Sequence, residues 1–97
     1  MTTAAPTTPI GDVAWRDEVS VQGTVRSMRL AHAESGDTLE LTVFDDSGGL
    51  TVVFTGRSEV PGIDLGTPLH LRGRAGARRG SLALVNPQLR ILPRSHP

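Results

Sequence analysis

From Leu39 to Pro87 the chain reads LELTVF (39–44), DDSGG (45–49), LTVVFTG (50–56), PGIDLG (61–66), LHLRGRAG (69–76) and SLALVNP (81–87). Its apolar residues recur at every second position, the period of a strand that buries one face. Between the runs lie Gly, Asp and Pro, the residues that supply turn geometry at low steric cost. Several short alternating strands at such regular spacing specify a small closed antiparallel barrel. A barrel of this size offers surfaces and loops rather than a deep cleft, so the expected function is binding.

Working outward, the second strand places Leu39, Leu41 and Val43 inward and Thr38, Glu40, Thr42 and Phe44 outward. DDSGG closes a tight hairpin. In the third strand Leu50, Val52 and Phe54 share the inner face, and Thr51, Val53 and Thr55 the outer. The fourth turns Leu69, Leu71 and Gly73 inward and His70, Arg72 and Arg74 outward. After GARRG, Leu82 and Leu84 point inward, and Asn86-Pro87 breaks the ladder before Leu89 and Ile91 complete the barrel. Pro87 belongs at an edge or bulge, because it has no N–H to donate. Upstream, Val19, Val21, Gly23 and Val25 alternate with Ser20, Gln22, Thr24 and Arg26. Gly23 suits a first strand that bends to serve both halves of a barrel. Residues 1–14, rich in Thr, Ala and Pro and without periodicity, are expected to be a disordered lead. The domain is expected to span 15–92, with Trp15 covering an open barrel end and 93–97 as a flexible tail.

At 97 residues the chain is expected to be one domain with one core. It has no cysteine, hence no disulfide framework and no thiolate chemistry. No apolar run approaches the ~20 residues of a membrane helix, and the N-terminus lacks the pattern of a secretory signal. A soluble, cytoplasmic protein without membrane contact is expected. The net charge is zero, but the charges are segregated. All ten acids precede residue 66, whereas Arg72, Arg74, Arg78, Arg79, Arg90 and Arg94 follow it with no acid among them. Such asymmetry is a feature of polyanion-binding faces, unless the fold interleaves the two halves.

Five patterns in fixed order carry a resemblance: V-x-V-x-G-x-V (19–25), L-x-L-x-V-x-D-x-x-G-G-L (39–50), V-F-x-G-R (53–57), G-x-x-L-x-L-x-G (66–73) and L-x-x-x-N-P (82–87). Over roughly Trp15 to Leu92 the chain resembles the OB-fold nucleic-acid-binding domains of the anticodon-binding-like branch. Within that branch it is most similar to stand-alone actinobacterial members, and more distantly to the wedge domain of RecG-type helicases. The resemblance implies an all-β, five-stranded Greek-key barrel. Where many such barrels insert a helix between strands three and four, Pro61 and Gly62 leave room for a turn or a single helical turn. It also implies a binding face on strands two and three, formed by Thr38, Glu40, Thr42, Thr51, Val53 and Thr55. His32–Asp37 and Gly76–Gly80 would flank that face.

With two Phe, one Trp and no Tyr, the aromatic platform used by many single-strand binders is thin. Thr55 stands where the helicase wedge commonly carries a second aromatic, and alternation makes Phe54 a core residue. Arginines are therefore the expected contacts. Arg78 and Arg79 lie in the loop beside the face, where a guanidinium fork suits phosphate oxygens. Arg26, Arg72 and Arg74 point outward from strands one and four and are expected to form one basic stripe. The competing reading of these arginines is ion pairing, with Glu40, Glu18 or Asp17.

Catalysis is not expected. Asp45 and Asp46 are hairpin residues without further oxygen ligands, and His32, His70 and His96 show no ligand spacing. Gly73-x-x-Gly76 is not followed by a helix signal and is no phosphate loop. No cofactor and no metal are expected. Two functions remain: weak binding of single-stranded or junction nucleic acid through arginines, or a protein-interaction module, either a homodimer paired through Val53 and Phe44 or an adaptor.

Overall fold

The computed structural model describes residues 7–34, 36–78 and 80–93. Six strands follow a 3-10 turn at Ile10–Asp12: β1 Glu18–Ala33, β2 Gly36–Asp45, β3 Gly48–Thr55, β4 Pro68–Arg78, β5 Ser81–Val85 and β6 Gln88–Ile91. They form one sheet in the order β1-β2-β3-β5-β4-β6, and pairing of β1 with β4 closes five of them into a ring. β5 and β6 are two halves of the expected fifth strand. Both pair antiparallel with β4, β5 along Ala75–Arg78 and β6 along Leu69–Arg72. Pro87 sits in the interruption between them, where no ladder bond requires its nitrogen.

β1 serves two partners. Glu18–Thr24 pairs with β4, and Thr24–Ala33 pairs with β2, with a bulge between Val25 and Ser27 where Arg26 is the extra residue. Gly23 lies at this crossing because a Cβ there would fall 2.5 Å from Val43 Cγ1 and 2.9 Å from the Phe44 carbonyl oxygen. The bulge also re-aims the strand beyond it: Met28 and Leu30 now stand opposite Leu41 and Leu39. Instead of opening into a loop at His32–Asp37, the chain continues as a hairpin to the Ala33–Gly36 pair. Near its tip His32 Nδ1 and Asp37 Oδ1 lie 2.7 Å apart.

The core follows alternation from Val19 to Leu84, but Ile91, expected to complete the barrel with Leu89, is exposed. Val19, Val21, Val25, Leu39, Leu41, Val43, Leu50, Val52, Phe54, Leu69, Leu71 and Leu84 are all buried in the core. Between β3 and β4 there is no helix; turns carry Val60 and Ile63 into the core instead. Among the described residues no helix is long and apolar enough to cross a membrane.

At the other end the structure corrects two expectations. The described part of the expected lead is packed: the Thr8 N–H donates to the Ser20 carbonyl (2.7 Å), and Ile10 and Val13 are buried in the core cluster. Residues 1–6 lie outside the described residues. Trp15 does not cover the barrel end; it is 57% exposed. Two aliphatic residues three apart, on a single helical turn, fill the opening that a bulkier indole was expected to plug.

Candidate nucleic-acid interface

Two outer faces of the barrel carry the residues expected to bind. The first is the β2–β3 face, which β5 extends. Cross-strand register lines up Glu40 with Val53 and Thr42 with Thr51, while β5 brings Ala83 beside Thr51. Glu40 from β2 meets Arg78 from the end of β4 across the two strands that separate them, Nη2 to Oε2 at 3.8 Å. Between them Val53 and Ala83 are buried although they lie outside the core cluster. Val53 is therefore not the exposed contact that period-two alternation implies. Strand geometry turned it outward as expected, but the surface beyond it is closed.

Arg78 is correspondingly not a free phosphate ligand; of the two readings of this arginine, the ion pair with Glu40 is realised. At 3.8 Å that pair is too long for a hydrogen bond, and Glu40 Oε2 and Arg78 Nε are buried without hydrogen-bond partners. A phosphate reaching Arg78 would compete with Glu40 for the same guanidinium. Arg79 lies outside the described residues. Thr55 is exposed, but Asn86 engages it twice: the Thr55 N–H donates to Asn86 Oδ1 (3.0 Å), and Asn86 Nδ2 donates to Thr55 Oγ1 (2.9 Å). Thr51 lines a cleft of about 540 Å³ together with Thr42, Phe44, Leu82 and the Ile10–Val13 segment.

Arg26 belongs to this first face. Its guanidinium carbon lies 5.1 Å from the Phe44 ring centroid. The same ring covers Gly49, directly opposite in register, where a Cβ would come within 2.5 Å of two ring atoms. The expected stripe of Arg26, Arg72 and Arg74 is therefore divided. Arg72 pairs with Ser20, six residues before Arg26, which along a strand is about 20 Å.

Arg72 and Arg74 instead gain different neighbours on the β1–β4–β6 face. β6 sets Gln88 opposite Arg72 and Arg90 opposite His70. On the other side β1 sets Glu18, Ser20 and Gln22 opposite Arg74, Arg72 and His70. Among the described residues no carboxylate lies within ion-pair distance of Arg72, Arg74 or Arg90, and all three are exposed. At the Arg74 end the row is extended by Arg16, whose carbonyl accepts from Arg74 Nη1 (3.4 Å) and whose guanidinium stacks 4.3 Å from the Trp15 ring centroid. Arg90 and Arg16 were not among the expected contacts. β6 pairing brings the first into the row, and a turn packed on β4 brings the second, neither of which strand alternation reveals.

One carboxylate supports the architecture rather than a ligand. Asp45 Oδ2 accepts from the Ile10 N–H (2.9 Å), while Oδ1 accepts from the Ser47 N–H (2.7 Å), the Ser47 hydroxyl (2.6 Å) and the Gly48 N–H (3.1 Å). Ser47 Oγ in turn accepts from the Gly11 N–H (2.8 Å). Burial pushes the Asp45 carboxyl upward, but these donors outweigh it and hold it below the ordinary aspartate value. The β2–β3 turn thus fastens the N-terminal segment over the barrel mouth.

No protein-family model and no curated protein sequence matches the chain. Solved structures do. The OB domain of MM0293 from Methanosarcina mazei superposes with a TM-score of 0.70 at 15% identity, over 91% of this chain and 84% of that one. RecG bound to a three-way DNA junction matches with a TM-score of 0.67 at 12% identity, over 90% of this chain and 12% of RecG. The p204 HINb domain matches with a TM-score of 0.66 at 18% identity, over 90% of this chain and 47% of that one. The chain thus spans half or less of the length of the HIN and RecG chains that it matches. Identities this low speak to architecture alone, and the ring of five strands with its broken last strand agrees with them: the chain has the OB fold.

Proposed function

We propose that this OB-fold barrel binds single-stranded or junction nucleic acid weakly, through arginines, and performs no catalysis. The observation that carries the reading is the row Arg72, Arg74 and Arg90 on the β1–β4–β6 face, all exposed and without carboxylate partners among the described residues, with the half-buried His70 beside them. Arg72 and Arg74 are two residues apart on one strand face, about 7 Å, and Arg90 lies diagonally from Arg72 on the neighbouring strand. Planar guanidinium forks so spaced suit successive phosphate oxygens. RecG, one of the proteins that share the fold, is seen bound to a DNA junction, which supports nucleic acid as the polyanion. The neutral β2–β3 face, with Arg78 held by Glu40, is a secondary surface in this reading.

The test is the salt dependence of binding to an unstructured oligonucleotide, followed by fluorescence anisotropy. Each phosphate neutralised on a single strand contributes about −0.7 to the slope of log affinity against log salt. Replacing Arg72 and Arg90 together by Ala is expected to flatten the slope by about 1.4, whereas Arg78→Ala is expected to change it little. An unchanged slope in the double variant would remove the row from the function.

A second reading, protein pairing, is favoured by one observation. Met28 and Leu30 on the projecting β1–β2 hairpin are 39% and 42% exposed. Among the described residues that strand segment pairs only with β2, leaving an edge. A dimeric mass by light scattering that Leu30→Lys returns to monomer would support this reading.

A further inference from the structure

Trp15 is the chain's single tryptophan, and its exposure is not something the core requires, because Ile10 and Val13 already fill the barrel mouth. Tryptophan is highly buried on average, so an indole more than half exposed needs another reason. The turn that presents it is firmly held. The Ala14 N–H donates to Asp17 Oδ2 (3.2 Å), the Asp17 N–H to the Ala14 carbonyl (3.1 Å) and the Arg16 N–H to the Ala75 carbonyl (2.9 Å). The Ala75 N–H returns a bond to the Asp17 carbonyl (2.8 Å). Arg16 accepts a left-handed backbone, φ 74°, which a residue with a Cβ adopts at a cost. The result is a turn fixed against β4 at the Arg74 end of the arginine row, presenting an indole backed by a guanidinium.

We infer that Trp15 is a base-stacking platform: one unpaired base of a single-stranded nucleic acid stacks on the indole face away from Arg16, while the adjoining phosphates run along Arg74 and Arg72. This inference rests on the proposed nucleic-acid reading and deepens it, because it gives the ligand class and its orientation. Arginines alone attract any polyanion, whereas stacking requires a base with a free face. Single strands offer such bases and intact duplexes offer them only at their ends. The platform therefore makes the module selective for single strands and for the splayed arms of junctions.

The chain carries its own probe. With one Trp and no Tyr, its emission excited at the red edge reports Trp15 alone. Two ligands of equal length are titrated, an end-labelled oligothymidylate and the corresponding abasic deoxyribose-phosphate oligomer. Anisotropy reports binding, and tryptophan emission reports stacking. Oligothymidylate is expected to quench Trp15, and the abasic oligomer to bind more weakly without quenching. Trp15→Ala is expected to lower oligothymidylate affinity by roughly 5- to 100-fold, the range for loss of one stacked base. It is expected to leave abasic affinity and the salt slope unchanged, and Trp15→Phe is expected to restore part of the loss. Oligothymidylate that binds without quenching, or binds Trp15→Ala with undiminished affinity, would overturn the platform and leave the arginine reading standing. If neither ligand binds at low salt, both fail together.

Discussion

Val53 shows how a single residue can be assigned to the correct side of a strand and still be given the wrong environment. Its neighbours Val52 and Phe54 point into the core, so Val53 must face outward. It is nonetheless fully buried, flanked on the outer face by Glu40 opposite it in register and enclosed where Glu40 meets Arg78. The consequence for mutagenesis is a reversal. Were Val53 a surface contact, Val53→Glu would separate a dimer and leave the fold intact. In the observed structure the new carboxylate enters a closed site beside Glu40, where one guanidinium, that of Arg78, would face two buried negative charges. The expected result is destabilisation of at least ~2 kcal/mol, measured as a lowered urea midpoint in a chain of unchanged mass. A midpoint equal to that of the parent protein would show that the site is open after all.

At the scale of the element, the β5–β6 break depends on Asn86. Its backbone takes φ 50°, a conformation that asparagine tolerates better than most residues. Its N–H donates to the Val53 carbonyl (2.7 Å), and its amide side chain makes both bonds to Thr55. One residue thereby ends the parallel β3–β5 pairing and lets Pro87 lead the chain into β6. Asn86→Ala removes the side-chain bonds and adds backbone strain, for an expected cost of about 1–3 kcal/mol. Asn86→Gly loses the same bonds without the strain and is expected to be the milder change. Urea denaturation of the two variants side by side checks the order. The arginine row should respond too, because Arg90 reaches His70 only through the β6 register.

Across the whole molecule, the N-terminal segment and the β2–β3 turn act as one closure, joined at Asp45. The folded value of this carboxyl lies below the reference of 3.8, so the unfolded chain binds its proton more readily than the folded one. Its contribution to stability is therefore fully present above the unfolded value and is lost as pH falls through the lower, folded value. Asp45→Ala is expected to weaken the closure at neutral pH and to flatten this part of the acid limb of stability. Amide exchange at Ile10, whose N–H donates to Asp45, is expected to quicken in the same variant. Parallel acid limbs in the parent and the variant would show that the carboxyl does not couple closure to pH.

Alternation alone determined which strand side chains fill the barrel from Val19 to Leu84, because a strand has only two faces and only one of them can be dry. Turn chemistry likewise placed the DDSGG hairpin and the Asn86-Pro87 break, since few residues tolerate those backbone angles or the missing donor. Tertiary structure decided what lies over the outer faces. Ile10 and Val13 show no period and pack only because the barrel has a mouth of their size. Glu40 and Arg78 lie 38 residues apart in the sequence and meet only because curvature of the sheet brings β2 and β4 within reach across β3 and β5. Arg26 left the expected stripe because β1 changes partner at Thr24, and Arg90 entered the row because β6 pairs beside Arg72. Local periodicity encodes inside against outside; which outward residues become neighbours depends on strand order and register, which are set by contacts distant in the chain.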